Sequence, residues 1–407
     1  MDIVERFINY TKFNTTTNKE NGLKGIMPSN PTEYELAKFI KDELSSLGIK
    51  DIILQDNAIL IAKIPANCEN APSIAFFAHL DTSSEQKNDT KAKIVKYTGG
   101  DICLNEEQGI YLKFSDNPEL KKYVGDDIVV TDGTSLLGAD DKAAIASIVN
   151  MASFFMQNPD VKHGKIVICF VPDEEQGLLG AKALDVNLLG ANFGYCLDCC
   201  EIGELIYENW NAADCTMVFK GVSAHPMNAK GKLVNSLLLA HKFISLLPGG
   251  EVPECTEGKE GYFWVKELSG NSAKTTLKID IREFDEVKFQ KRLEFLSDMA
   301  NSFNKIYGEC CEITLKTRYE NVFKFLKDEN SLPIKLAKDA FSELNITPNI
   351  KPMRGGYDGA VISAKGVPTL NLFTGANNFH SVFEYLPVSS LKASSEVIKK
   401  IVINAAK

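Results

Sequence analysis

Apolar residues recur at three- and four-residue spacing over residues 2–12 and again over residues 31–47, where the run stops at Gly48, and both segments predict amphipathic helices. Strands follow. "DIILQDNAILIAKIP" has the pattern of a hairpin, and "SIAFFAHLD" and "KIVICFVPDEE" are short apolar runs that each end abruptly in charged residues. A buried central strand has this form when its C-terminal end delivers polar side chains to a site. Between these runs, "ADDKAAIASIVNMASFF" puts Ala, Ile and Val at helical spacing behind a pair of aspartates, which predicts a helix opened by that pair. Strands alternating with helices imply an α/β sheet with helices on both faces.

Beyond Trp210 the order changes. "CTMVFKG", the apolar helix "LVNSLLLAHKFISLL", "GYFWVKELSG", "AKTTLKIDIRE", a helix over residues 286–307 and "CEITLKTRYE" predict β-α-β-β-α-β, the order of a ferredoxin-like unit. From Asn321 the α/β pattern resumes with "SLPIKLAKDAFSEL", "PTLNLF" and "SSLKASSEVIKKIV". The pattern therefore divides the chain into one α/β domain in two parts, residues 1–208 and 322–407, with an α+β domain of residues 209–321 inserted between them. A chain of 407 residues is also long enough that a single hydrophobic core is not expected.

Composition narrows the function classes. With 44% hydrophobic and 24% charged residues the chain is an ordinary globular protein. A net charge of -9, without a long Lys/Arg run, argues against a nucleic-acid partner. The N-terminus mixes charged and apolar residues and lacks the unbroken apolar core of a signal peptide, and no stretch reaches the ~18 to 20 apolar residues of a membrane span. The ten cysteines follow no repeated spacing, and the pairs Cys199, Cys200 and Cys310, Cys311 are adjacent, which suits neither a disulfide framework nor a zinc motif. A reducing cytoplasm is the expected location.

The candidate chemistry lies at the ends of the apolar runs. Carboxylate and imidazole are the ligands from which hydrolytic metal sites are built. His79 and Asp81 stand two apart at a strand end, so their side chains leave the same face. His79 then either binds metal while Asp81 orients its other ring nitrogen, or is a buried histidine with a structural carboxylate. Asp140 and Asp141 follow a glycine-containing turn and are either site residues or a simple helix cap. Glu174 and Glu175 close a run of three acids whose mutual repulsion is costly unless a cation lies nearby. Asp198 ends "FGYCLD" and His380 follows "LFTGANNF". Five such places in a chain with only five histidines are hard to attribute to chance. His163, in a turn, and His241, on an amphipathic helix, are read as structural.

The segments "AHLDTS", "TDGTSLLGADDKAAIA", "VPDEEQG", "YCLD", "KGVSAHPMNAKGKLVNS", "IDIREFD", "RGGYDGA" and "LFTGANNFH" together resemble the tripeptide aminopeptidase branch of the M20 metallopeptidase family, in family order and over nearly the whole chain. The resemblance implies a zinc-peptidase-like catalytic domain with a mixed central sheet flanked by helices, and a ferredoxin-like lid. It implies two zinc ions bridged by Asp140, one completed by His79 and Asp198 and the other by Glu175 and His380. The same ligands accept cobalt or manganese. It further implies that Asp81 orients His79, that Glu174 is the general base toward a bridging water, and that His225 in the lid donates to the developing oxyanion. Arg282 and Arg354 are the expected partners of a peptide's C-terminal carboxylate. The substrate would be a small peptide, and a homodimer through the lid is one arrangement the resemblance allows. A dipeptidase or carboxypeptidase, an N-acyl amino acid deacylase and a non-catalytic descendant are the competing functions. Ala144, Cys199 and Cys200, Glu283, Tyr357 and the residues after His380 depart from the family pattern, and they leave the substrate pocket open.

Overall fold

A computed structural model describes residues 1–86 and 89–407, which form two compact units. The first comprises Met1–Tyr207, Phe325–Lys351 and Tyr357–Lys407; the second comprises Glu208–Lys324 and Pro352–Gly356.

The first unit is built on an 8-stranded mixed sheet. Its centre is four parallel strands lying side by side in the order Ile166–Val171, Ile74–His79, Phe193–Cys199 and Thr369–Phe373. The first two of these, and Thr369–Phe373, are buried at every position, and in the first two this shows as a nearly unbroken apolar run. The hairpin Asp51–Leu54 with Leu60–Ile64 forms as expected and extends one edge antiparallel. Glu204–Ile206 and Asn349–Ile350, too short to show periodicity, extend the other.

The helix Ala139–Gln157 packs on the central strands Ile74–His79 and Phe193–Cys199, and Ile3–Thr11 and Val388–Asn404 pack on that helix. Local sequence sets the helix ends. Asp2 with Glu5, and Asn30 with Glu33, make reciprocal capping boxes, and Pro31 follows Asn30 at the first helical position. A 3-stranded sheet, Lys93–Lys96, Asp127–Val130 and Tyr385–Pro387, and the hairpin Ile102–Asn105 with Ile110–Leu112, were not legible as strands.

The second unit is a 4-stranded antiparallel sheet in the order Tyr262–Gly270, Lys274–Glu283, Asn211–Lys220, Cys311–Tyr319. With the helices Ser236–Ile244 and Glu286–Tyr307 this is the β-α-β-β-α-β order read from the pattern. Its core is one cluster that includes Met217, Phe219, Phe243, Leu277, Ile279 and Phe303. No helix among the described residues is long and apolar enough to cross a membrane.

Candidate metal centre

The C-terminal ends of the four central parallel strands, the usual place for ligands on such a sheet, supply the site together with Asp140 and Asp141 at the start of Ala139–Gln157. Ile74–His79 ends on His79, Phe193–Cys199 carries Asp198, Glu174 and Glu175 follow Ile166–Val171, and His380 follows Thr369–Phe373.

Asp140 lies at the centre. Its Oδ1 is 2.9 Å from His79 Nε2 and its Oδ2 is 3.1 Å from His380 Nε2. His380 Nε2 is also 2.7 Å from Glu175 Oε1. Ligand atoms of His79, Asp140, Asp141 and Asp198 lie within 4.8 Å of one another, as do those of Asp140, Glu175 and His380. Asp140 is the residue common to both groups.

The local backbone makes this possible. The sequence predicted that the Asp pair would open a helix, but Asp140 (φ -80°, ψ 101°) and Asp141 (φ -120°, ψ 21°) are not helical, and regular helix begins only after them. Gly138 before them has φ 73°, a left-handed conformation that favours glycine. Asp173, Leu178, Asn378 and His380 also have positive φ, and all four lie in the two loops that carry Glu174, Glu175 and His380. Such strain persists where surrounding structure over-determines it, and it clusters at functional sites. In the first loop the amide of Gly180 donates to Pro172 O at 3.1 Å, and a Cβ on Gly180 would stand 2.2 Å from that oxygen. Only glycine lets this loop close.

Asp81 is wholly buried and does more than its spacing suggested. His79 Nδ1 lies 3.0 Å from the Asp81 carbonyl and 3.3 Å from its Oδ1. The same carboxylate accepts the backbone amides of Glu174 at 2.9 Å and Glu175 at 3.1 Å, so one side chain holds three site residues. Glu384 accepts from the amides of Gly138 and Asp140, and Asn371 brackets Asp198 through its amide and carbonyl at 2.8 and 3.0 Å. Sequence reasoning missed Glu384, Asn371 and the place of Asp141 in the first ligand group.

The electrostatics are those of crowded acids. Burial pushes Asp141, Glu174 and Asp198 well above the usual carboxylate range, and repulsion from neighbouring carboxylates adds to it. Burial also raises Glu175. Asp140 is the exception: the bonds from His380 and His79 outweigh burial and hold it low. Burial works against a charged His79, yet Asp140 and Asp81 hold it well above its ordinary value. Asp140 and Glu175 push His380 up to about 11. The buried Lys142 turns its Nζ to Phe13 O at 2.8 Å, and burial lowers it to about 7. Among the described residues two imidazoles and four carboxylates thus meet with no lysine or arginine in the group, and Asp141 Oδ1 is buried with no hydrogen bond. That donor set fits a pair of divalent cations sharing Asp140.

The remaining candidates lie in the second unit. His225 is exposed and caps the short turn Pro226–Asn228, its Nδ1 accepting from Met227 N at 3.3 Å. Arg282 is mostly buried, bonded to both Asp280 oxygens and to Tyr319 Oη, and stacked on Trp210 and Tyr319. Arg354 stacks on the other ring contact of Trp210 at 4.5 Å and donates to the carbonyls of Gly258 and Thr256. Of the chain's five arginines, Arg6, Arg282, Arg292 and Arg318 each pair with a carboxylate. Arg354 pairs with none among the described residues.

Two departures from the family pattern find a structural place. The Tyr357 side chain is wholly buried in the first unit, and its hydroxyl donates to Thr369 O at 2.9 Å. Glu283 accepts from Phe284 N and pairs with Arg292. His163 is buried, its Nδ1 2.7 Å from Gly164 O, consistent with a structural histidine. All ten cysteines are free.

A family model described as "Peptidase family M20/M25/M40" matches residues 136–404, and one described as "Peptidase family M28" matches residues 60–191. The chain is 40% identical over 404 residues to "Peptidase T" of Parabacteroides distasonis, covering 99% of this chain and 98% of that one. Among solved structures, aminopeptidase PepT from Bacillus cereus is similar with a TM-score of 0.79 at 24% identity, covering 100% of this chain and 98% of that one. A protein from Bacillus subtilis described as a dinuclear metal binding peptidase from the M20 family is similar with a TM-score of 0.68 at 15% identity, covering 99% and 98%.

Proposed function

The chain belongs to peptidase family M20/M25/M40, and from that membership we propose that it is a dinuclear zinc aminopeptidase that releases the N-terminal residue of tripeptides. The observation that carries the proposal is the position of Asp140, with one oxygen toward His79 and the other toward His380. A carboxylate so placed would serve both of two cations held there. His79 and Asp198 would complete one position, and Glu175 and His380 the other, with Asp141 close to the first. Imidazole and carboxylate donors suit zinc, and cobalt or manganese would replace it.

Cations held by these residues would supply Lewis-acid chemistry toward water and a peptide carbonyl. The rest falls to the chain's own residues. Glu174 takes the proton from the attacking water and passes it to the leaving amine. Asp81 keeps Glu174, Glu175 and His79 in register through its three contacts. His225 spends Nδ1 on its own turn, and Nε2 is left to donate to the carbonyl oxygen as it becomes an oxyanion.

Substrate length would be read by Arg354. Its guanidinium is fixed by Trp210 and two carbonyls, and its charge lacks a carboxylate partner, so it suits a peptide's C-terminus. Arg282 reaches a substrate only by giving up Asp280. Ten free cysteines suit a reducing cytoplasm.

The test is a panel of di-, tri- and tetrapeptides, each with free, N-acetylated and C-amidated forms, assayed after chelation and after adding back zinc, cobalt or manganese. Free tripeptides should be cleaved fastest, and only with metal. Preference for acetylated substrates would make the enzyme a deacylase. Unchanged kcat/KM on amidation, or no effect of Arg354→Ala on tripeptide KM, would remove the carboxylate contact. Full activity in protein shown by elemental analysis to hold no divalent metal would sink the whole proposal.

A further inference from the structure

Glu384 is a buried carboxylate that the mechanism leaves unused. It is 2% exposed, yet among the described residues it makes no ion pair with a lysine or arginine. Its oxygens accept two backbone amides: Oε2 from Gly138 at 2.8 Å and Oε1 from Asp140 at 3.0 Å. Those amides open the segment Ala139–Gln157, whose N-terminus has no side-chain cap of its own. Both amides lie in the non-helical stretch ahead of the regular helix, and a buried backbone amide outside a helix or strand ladder needs a partner from elsewhere. Here the partner comes from 246 residues away for Gly138 and 244 for Asp140.

Its position in the chain gives this a consequence. The loop from Asn377 to Tyr385 is closed by reciprocal amide bonds between those two residues, 2.9 and 3.2 Å, and the Glu384 amide donates to Ser381 O at 3.1 Å. His380 sits in the middle of this closed loop and Glu384 at its base. One loop therefore presents an imidazole to Asp140 Oδ2 at 3.1 Å and grips the Asp140 backbone from the other side.

We propose that Glu384 is a positioning residue for the two-ion site, holding Asp140 and His380 at one fixed separation so that both ions are bound. The proposal rests on the two-ion assignment above. Gln is nearly isosteric with Glu, but its amide group would face one of the two N–H donors and release it. Removing the partner that orients a metal ligand typically costs about 10- to 100-fold in metal affinity. The cost should be larger for the ion shared by Asp140, Glu175 and His380, because His380 rides on the same loop.

The experiment is stepwise metal affinity, measured by competition with a chromophoric chelator on wild type, Glu384→Gln and Phe383→Ala. Circular dichroism and denaturation of the metal-free forms give the folded fraction. Phe383 is half-exposed on the same loop and has no role in the site, so it controls for general loosening. Wild type and Phe383→Ala should bind two ions alike. Glu384→Gln should bind the weaker of the two at least tenfold less tightly per folded molecule. Equal affinities in all three proteins, or an equal loss in Phe383→Ala, would overturn the assignment. If Glu384→Gln fails to fold, Glu384→Asp keeps the charge but withdraws its oxygens, and wild-type affinities in that variant overturn it equally. A wild type that binds fewer than two ions would instead remove the two-ion site on which the proposal stands.

Discussion

Replacing Asp81 by Asn changes one atom type at a wholly buried position and should disturb the site more than any surface substitution. In the native protein both carboxylate oxygens accept backbone amides, Glu174 N at 2.9 Å and Glu175 N at 3.1 Å. Asn offers one acceptor oxygen and one donor group, so one amide loses its bond and meets another donor. A hydrogen bond to a charged group is worth about 1.5 to 3 kcal/mol, and leaving a buried donor unsatisfied costs about 1 to 3 kcal/mol. These overlap, and about 2 to 4 kcal/mol is the expected loss. It falls first on the loop between Pro172 and Gly180, where both amides lie; the loop's other ties are its own backbone bonds and those of Asp173 and Gln176 to Glu33, Ser29 and Asn18. Each 1.4 kcal/mol is tenfold, so amide exchange in a peptide covering residues 172–180 of the metal-free variant should quicken by at least about tenfold. Exchange in the buried strand Ile74–His79 should change little. Metal affinity should fall about 10- to 100-fold as His79 and Glu175 lose their hold. Wild-type exchange in that peptide together with wild-type metal affinity would refute the reasoning and reduce Asp81 to a bystander.

Glu174→Gln should retain two ions per chain while kcat falls by at least the ~10²-fold typical of a lost general base, whereas Glu175→Gln should weaken metal binding first. Steady-state kinetics beside elemental analysis separates the two, and near-full turnover of Glu174→Gln at saturating metal would reassign the base. His225→Ala should lower kcat by roughly 10² to 10³ with metal content and unfolding midpoint unchanged; a loss of stability with specific activity kept would return His225 to a structural role. Metal uptake at pH 7 should release at least about two protons, since His79 is held well above its ordinary value and His380 is pushed up to about 11, so both imidazoles start protonated. Calorimetry in buffers of different ionisation enthalpy reads this directly, and a heat independent of buffer would contradict it. The sign for stability follows: the raised imidazoles stabilise the metal-free protein fully below about pH 6.5, and that contribution is lost as pH rises toward the folded values, while the lowered Asp140 contributes above about pH 3.9 and loses its share as pH falls.

What could be read from the sequence divides along a physical line. The central strands announced themselves because burial on both faces favours an apolar run, and the runs ended where the candidate site residues His79, Asp81, Glu174 and Asp198 begin. The second unit's element order was legible for the related reason that its helices and strands each bury one face on a single core. The strands Glu204–Ile206 and Asn349–Ile350 were not, because two or three residues carry no period. Nor was the broken start of Ala139–Gln157: apolar spacing reports which face is buried and is blind to the dihedrals of the first two residues, which Gly138 and Glu384 decide.

Asn371, Glu384 and the hold of Asp81 on the Glu174 and Glu175 amides escaped notice for a different reason, although Asp81 itself was read as the partner of His79. These contacts run through the backbone, and a backbone amide has no letter in the sequence. Glu384 sits in "HSVFEYL", where it looks like one more exposed acid near a loop, and its partners lie more than two hundred residues earlier. The arginines make the same point in reverse. Arg282 and Arg354 look equivalent as letters, both basic and both beside motif residues, and only their neighbours distinguish them. Asp280, two residues before Arg282, was visible in "IDIREFD", and in a strand residues i and i+2 share a face, so that pairing was within reach of the alternation alone. The unpaired charge of Arg354 was not, because it depends on what four other arginines do with their carboxylates and on a tryptophan 144 positions away. A guanidinium becomes a receptor for an anion when the fold fixes its plane and withholds a partner, and both conditions are properties of the folded chain.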